Sequence, residues 1–98
     1  MKRLYLSTVI VTFVFSLPVV AGDLEFNDCI LKHMKGAKVD EASYLIEQAC
    51  HENYREVRFV PEKRRAFNEC LLEHLIGVES VQAVSDINAA CANKYKYY

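Results

Sequence analysis

Cys29 and His33 stand four residues apart, and Cys70 and His74 repeat the spacing. On a helix that interval brings a thiol and an imidazole to one face, which is one way a chain offers two ligands to zinc. Cys50 and His51 add a further sulfur and imidazole to the first set. The competing chemistry is oxidation, because cysteines bridged in an oxidising compartment are lost as metal ligands. His51 is answered by Ala92 in the second set, so that imidazole is not repeated. His33 and His74 each lie three residues before a glycine, Gly36 and Gly77. There an imidazole can bond free carbonyls and meets the negative end of the helix dipole. Both histidines are therefore expected to cap or pack, with no metal bound. The alternative is a small-molecule or metal site built on His33 and His74.

Other reactive side chains carry less. Ser43, Ser80 and Ser85 sit in no nucleophile-elbow context, and no zinc-protease, phosphate-loop or dinucleotide signature appears. The carboxylates are scattered along the chain with no segment that would wall off a pocket. No catalytic residue and no cofactor is expected, so the chain does not read as an enzyme.

The elements that position these residues come from a duplication. Sliding the sequence until Phe26 falls on Phe67 also lays Cys29 on Cys70, His33 on His74, Gly36 on Gly77, Cys50 on Cys91 and Tyr54 on Tyr95. A fixed period that carries every cysteine means one supersecondary unit used twice, over residues 26–54 and 67–95. In the first copy Phe26, Cys29, Ile30, His33 and Met34 recur at helical spacing. Gly36 is expected to stop that helix in the left-handed conformation and Asp40 to cap the next. Ala42, Leu45, Ile46, Ala49, Cys50 and Asn53 continue as a second apolar stripe. The second copy repeats this with a stop at Gly77 and a cap at Ser80. No window alternates as a strand would. The fold class is all-α, two tandem helical hairpins of four helices in all.

Four cysteines allow three pairings. Cys29 and Cys50 fall in the outer half of one antiparallel pair on facing stripes, as do Cys70 and Cys91. A duplicated unit most simply carries its own staple, which favours Cys29–Cys50 and Cys70–Cys91. Each bridge closes a loop of about 22 residues, worth about 3 kcal/mol by chain entropy.

Residues 1–21 have the pattern of an export leader. Lys2 and Arg3 precede an uncharged apolar stretch from Leu4 to Leu17, then Pro18 and the small-residue end Val19-Val20-Ala21. Cleavage is expected after Ala21, giving a periplasmic or secreted protein with no membrane anchor; the apolar stretch is short for a bilayer span of about 20 residues. Residues 22–98 then form one domain. Lys2 and Arg3 leave with the leader, so ten basic residues against 13 acidic give a net charge of −3. That balance offers no footing for nucleic acid or an anionic membrane.

Residues 55–66 differ in chemistry. Arg55, Arg58, Lys63, Arg64 and Arg65 against Glu56 and Glu62 make a connector of net charge +3 between copies of −2 and −3. The strip is expected to neutralise the acidic copies, and it is also a candidate surface for an acidic partner. Phe59 and Val60 are expected to tuck between the hairpins. Tyr97 and Tyr98 have no counterpart in the first copy and are further interface candidates.

The string C-I-L-K-H-M-K-G-A-K-V-D-E-A-S-Y-L-I-E-Q-A-C, from Cys29 to Cys50, resembles a pattern in small exported bacterial proteins. In them a C-[IV]-L-x-[NH]-[ML]-K-G-[VA] segment leads to an A-C near a helix end. The duplicated form resembles the family called "four-cysteine" proteins across the whole chain after the leader. The second copy has Ile76 where the first has Lys35, so nothing tied to that lysine is shared. The resemblance implies export, disulfides and the fold, and it transfers no site. The functional expectation is a protein-interaction module (a small inhibitor, an immunity-like factor or an accessory subunit) that meets a protein partner in the cell envelope.

Overall fold

The computed structural model of the protein describes residues 21–96. The leader expected at residues 1–21, apart from Ala21, and the candidates Tyr97 and Tyr98 lie outside the described residues. Four helices follow in order: α1 Ala21–His33, α2 Asp40–Tyr54, α3 Glu62–His74 and α4 Val81–Tyr95, with one 3-10 turn at Met34–Gly36. No strand occurs among the described residues, and no helix there is long and apolar enough to cross a membrane. The shift that lays Phe26 on Phe67 also carries the bounds of α1 and α2 onto those of α3 and α4, so the duplication is structural as well as sequential.

α1 and α2 pair as one hairpin and α3 and α4 as the other, and α2 also packs on α3. The stripe from α2 is the centre of the core: Ala42, Ile46, Ala49 and Cys50 are fully buried and Asn53 nearly so. Phe67, Leu71 and Leu72 from α3 and Leu75 from its C-cap complete the same cluster. Deleting such a fully buried Ile or Leu side chain costs about 2–5 kcal/mol, so this contact fixes how the hairpins sit together. The expected bridges are present, Cys29–Cys50 and Cys70–Cys91, each spanning 21 residues and each inside one hairpin.

One of the two expected helix caps differs from the sequence reading. Asp40 is not the cap of α2; Val39 is, and its carbonyl accepts from the Ala42 and Ser43 amides at 3.1 and 3.2 Å. Asp40 stands one position later, in the first turn, where its charge still suits the positive helix end. Ser80 does cap α4, its hydroxyl accepting from the Ala83 amide at 3.1 Å.

The two glycines also part company. Gly77 takes φ +79°, the left-handed conformation expected of it, whereas Gly36 ends the 3-10 turn without it. Gly36 is needed for space. A Cβ there would stand 2.9 Å from Ile76 Cγ2, and its carbonyl accepts the Gly77 amide at 3.0 Å. The two matching loops thus touch through their backbones, with Lys38 and Glu79 3.9 Å apart beside them.

Candidate functional site

The arginines of the basic connector are each engaged by a carboxylate or carbonyl nearby, although only Arg64 is half-buried and the rest stay exposed. Arg64 reaches from the first turn of α3 to Glu52 on α2, its Nε and Nη2 donating at 2.6 and 3.0 Å. The same guanidinium lies 5.1 Å from the Phe67 ring centre. Arg65 donates to the Asn53 carbonyl at 3.0 Å. Arg55 approaches Asp23 at 3.3 Å and lies over the Phe26 ring at 4.8 Å. Arg58 folds back on Glu56, donating from its backbone amide at 3.1 Å and from its guanidinium at 3.3 Å. Lys63 is exposed on the outside of α3. The strip read as one patch is therefore divided among several internal contacts.

These contacts set the local electrostatics. Burial works against the charge of Glu52, but hydrogen bonds from Arg64 and Asn68, with the Arg64 charge, outweigh it and hold the carboxyl below its ordinary range. Glu56 is held at about 2 by the side-chain and backbone hydrogen bonds from Arg58, which itself is raised by the same carboxylate. Behind them is a polar cluster that sequence reasoning missed. Asn68 is 1% exposed, and its amide donates to Asn53 Oδ1 at 2.9 Å and Glu52 Oε1 at 3.0 Å. Asn53 donates in turn to the Arg65 carbonyl and to Glu69, both at 3.3 Å. The signal was faint, because Asn27, the counterpart of Asn68, is exposed.

The histidines go to separate places. His33 lines an open groove of about 670 Å³ between α1 and α3, walled by Glu25, Asp28, Glu69 and Glu73. Its Nδ1 is out of contact with solvent and has no hydrogen-bond partner. Burial, then the neighbouring Lys32, lower its pKa, while Glu69 and the Leu72 backbone oppose the shift. Tyr54 closes one end of the groove, donating to Glu69 at 3.4 Å; burial and that carboxylate raise its pKa. His74 lines a different groove, of about 300 Å³, beside the Cys70–Cys91 bridge. The shared histidine site entertained from the sequence is thus not assembled. Among the described residues no three His, Cys, Asp or Glu side chains are grouped as metal ligands, and all four cysteines are bridged.

Phe59 does not tuck between the hairpins. Val60 alone is buried, at 8% exposure, while Val57 and Phe59 project at 95% and 88%. Val57, Arg58 and Phe59 are all exposed around a bend at Arg58, and only Val60 reaches the core. The connector is held at both ends, by the His51 carbonyl accepting the Arg55 and Glu56 amides at 2.8 Å and by Val60.

Searches of curated proteins and of solved structures gave no match. A family model does match, over residues 7–95, and its description is a four-cysteine protein, VF_A0006-like. All four cysteines of the chain lie within the matched residues, and they are the ones bridged within the two hairpins. The chain belongs to the four-cysteine protein VF_A0006-like family.

Proposed function

We propose that this protein is a non-catalytic interaction module of the cell envelope, an inhibitor, immunity-like factor or accessory subunit that meets its partner through the connector tip. The observation that carries this reading is the display of Val57 and Phe59 on a short connector fastened at both ends. A large exposed aromatic on an ordered segment loses little conformational entropy on binding. Phenylalanine and arginine are both enriched at the cores of protein interfaces, and arginine also among binding hot spots. Arg58 supplies an arginine beside Phe59, already oriented by Glu56. Two bridges in so small a domain also suit an oxidising compartment, in keeping with cleavage after Ala21 and a periplasmic or secreted location.

The test places a photo-reactive phenylalanine analogue at position 59 in the exported, oxidised protein. Irradiation in envelope extract is expected to give discrete crosslinked proteins that disappear when the bridges are reduced. Against the partner so identified, Phe59→Ala is expected to weaken binding by about 30-fold, the scale of one aromatic hot spot. Its folding stability should stay within about 0.5 kcal/mol of the parent, because the ring is exposed. Crosslinks that survive reduction, or none at all, would refute the reading.

A further inference from the structure

The two hairpins are related head to tail, not by a two-fold axis. A two-fold that set α2 against α3 would equally set α4 against α1. α2 does pack on α3, but α1 and α4 do not form a packed pair. This is the arrangement of stacked repeats, in which each unit presents one face to the unit before it and another to the unit after. With two units, one face of each kind is left over.

The leftover faces can be read off the buried junction by carrying each residue to its counterpart in the other copy. On the first hairpin, Cys29, Ile46, Ala49, Cys50 and Asn53 form the seat for α3, each at most 7% exposed. Their counterparts Cys70, Ile87, Ala90, Cys91 and Lys94 line the open groove of about 300 Å³, with Ala90 and Lys94 exposed. The plug is equally incomplete. α3 and its C-cap contribute Leu71, Leu72 and Leu75, each at most 2% exposed, and their counterparts on α1 and the 3-10 turn are Ile30, Leu31 and Met34. Leu72 is 2% exposed and Leu31 69%. Leu24 adds a second exposed leucine to α1, at 58%.

The polar contacts transpose only in part: Arg64 on Glu52 becomes Asp23 opposite Asn93, with no ion pair, and Asn68 on Asn53 becomes Asn27 opposite Lys94. Asn53 donates to Glu69 at 3.3 Å across the buried junction; the corresponding residues at the free faces are Lys94 and Asp28, a cation and an anion. Tyr54 donates to the same Glu69 at 3.4 Å, and its counterpart Tyr95 would face Asp28. No counterpart pair in this set places like charges together. A stacked array that ends in contact with water carries polar outer faces on its terminal units. Here one end shows Leu31 and Leu24 and the other a groove floored by Ile87 and Ala90.

We propose that a second copy of this chain docks head to tail, its α1 lying in the groove between α3 and α4 and reproducing the α2–α3 junction. Each added copy leaves the same two faces free, so the assembly is linear and grows with concentration unless a cap stops it.

The test is sedimentation equilibrium of the oxidised protein up to about 1 mM, where even a weak contact of about 4 kcal/mol is populated. The expected result is an average mass that rises through dimer with concentration. Leu31→Glu should spoil the plug and Ala90→Glu the seat, each raising the dissociation constant at least about tenfold. Both positions are exposed, and far-ultraviolet circular dichroism verifies that each variant is folded. An equimolar mixture of the two variants keeps one good plug and one good seat. It is expected to form dimers that do not grow further. Lys94→Asp should weaken association, and adding Asp28→Lys to the same chain should restore it. A protein monomeric at every concentration would overturn the proposal. So would a dimer indifferent to Leu31→Glu and Ala90→Glu, or a mixture that associates no better than its components.

Discussion

Replacing Asn68 by alanine tests whether the polar cluster, and not apolar contact alone, fastens the two hairpins together. The Asn68 amide is the donor for Asn53 Oδ1 at 2.9 Å and for Glu52 Oε1 at 3.0 Å, at a position 1% exposed. Alanine leaves Asn53 Oδ1 buried without that donor, which costs about 1–3 kcal/mol. Glu52 keeps its bonds from Arg64, so its loss is smaller, about 1 kcal/mol. The total is about 2–4 kcal/mol against a domain stability of about 5–15 kcal/mol. Urea unfolding of dilute oxidised protein, followed by circular dichroism, reads this directly. At a slope of about 1 kcal/mol per molar for so small a chain, the midpoint should fall by about 2–4 M. Asn27→Ala is the internal control, since Asn27 is the exposed counterpart in the first copy, and it should change stability by less than about 0.5 kcal/mol. An Asn68→Ala protein within about 0.5 kcal/mol of the parent would refute the reasoning that these bonds hold the junction.

Other expectations follow from the same contacts. Gly36→Ala should cost about 1–3 kcal/mol because its Cβ meets Ile76 Cγ2 at 2.9 Å, and adding Ile76→Ala should restore much of the loss. Gly77→Ala, at φ +79° with open space around it, should cost about 1–2 kcal/mol that no neighbouring change relieves; thermal melts distinguish the two. Glu52 and Glu56 have folded pKa values below the ordinary carboxylate value of about 4.3, so the stability they add is complete above that pH and lost below it, toward about 2 for Glu56. His33 is also depressed, so its contribution is complete above about pH 6.5 and is lost as the pH falls below that; His33→Gln should abolish this upper step in a plot of urea midpoint against pH. Replacing Cys29 and Cys50 together by serine should cost about 3 kcal/mol and leave the Cys70–Cys91 bridge intact on a non-reducing peptide map.

The features visible in the sequence were those that repeat. The period of the duplication placed the cysteines, so the pairing within each hairpin could be inferred, and the stripe from Ala42 to Asn53 is the core that α3 covers. What stayed hidden was whatever depends on how one copy meets the other. Asn27 and Asn68 are the same residue in the same local pattern, yet only Asn68 has a neighbouring hairpin to bond. Gly36 and Gly77 match in sequence but serve different needs, one for close approach and one for a left-handed turn. Phe59 faces solvent although an apolar residue next to a buried valine looks buried in sequence, and only the path of the connector around the bend at Arg58 shows it. The arginines 55, 58, 64 and 65 read as a strip because linear sequence does not show Asp23 facing Arg55, Glu52 facing Arg64 or the Asn53 carbonyl facing Arg65.

Both sulfur bridges lie inside a hairpin, and none crosses the seam where α2 meets α3. Covalently, the chain is two reinforced leaves joined by a spine of residues 55–61. A denaturant can open the leaves without breaking a sulfur bond, wetting Ile46, Leu71 and the Asn53–Asn68 pair while each hairpin stays closed. Such an open form would exchange hairpins readily, since a seat vacated by its own α3 fits the same helix from another molecule. Oxidation therefore protects the parts of this protein far better than it protects their arrangement.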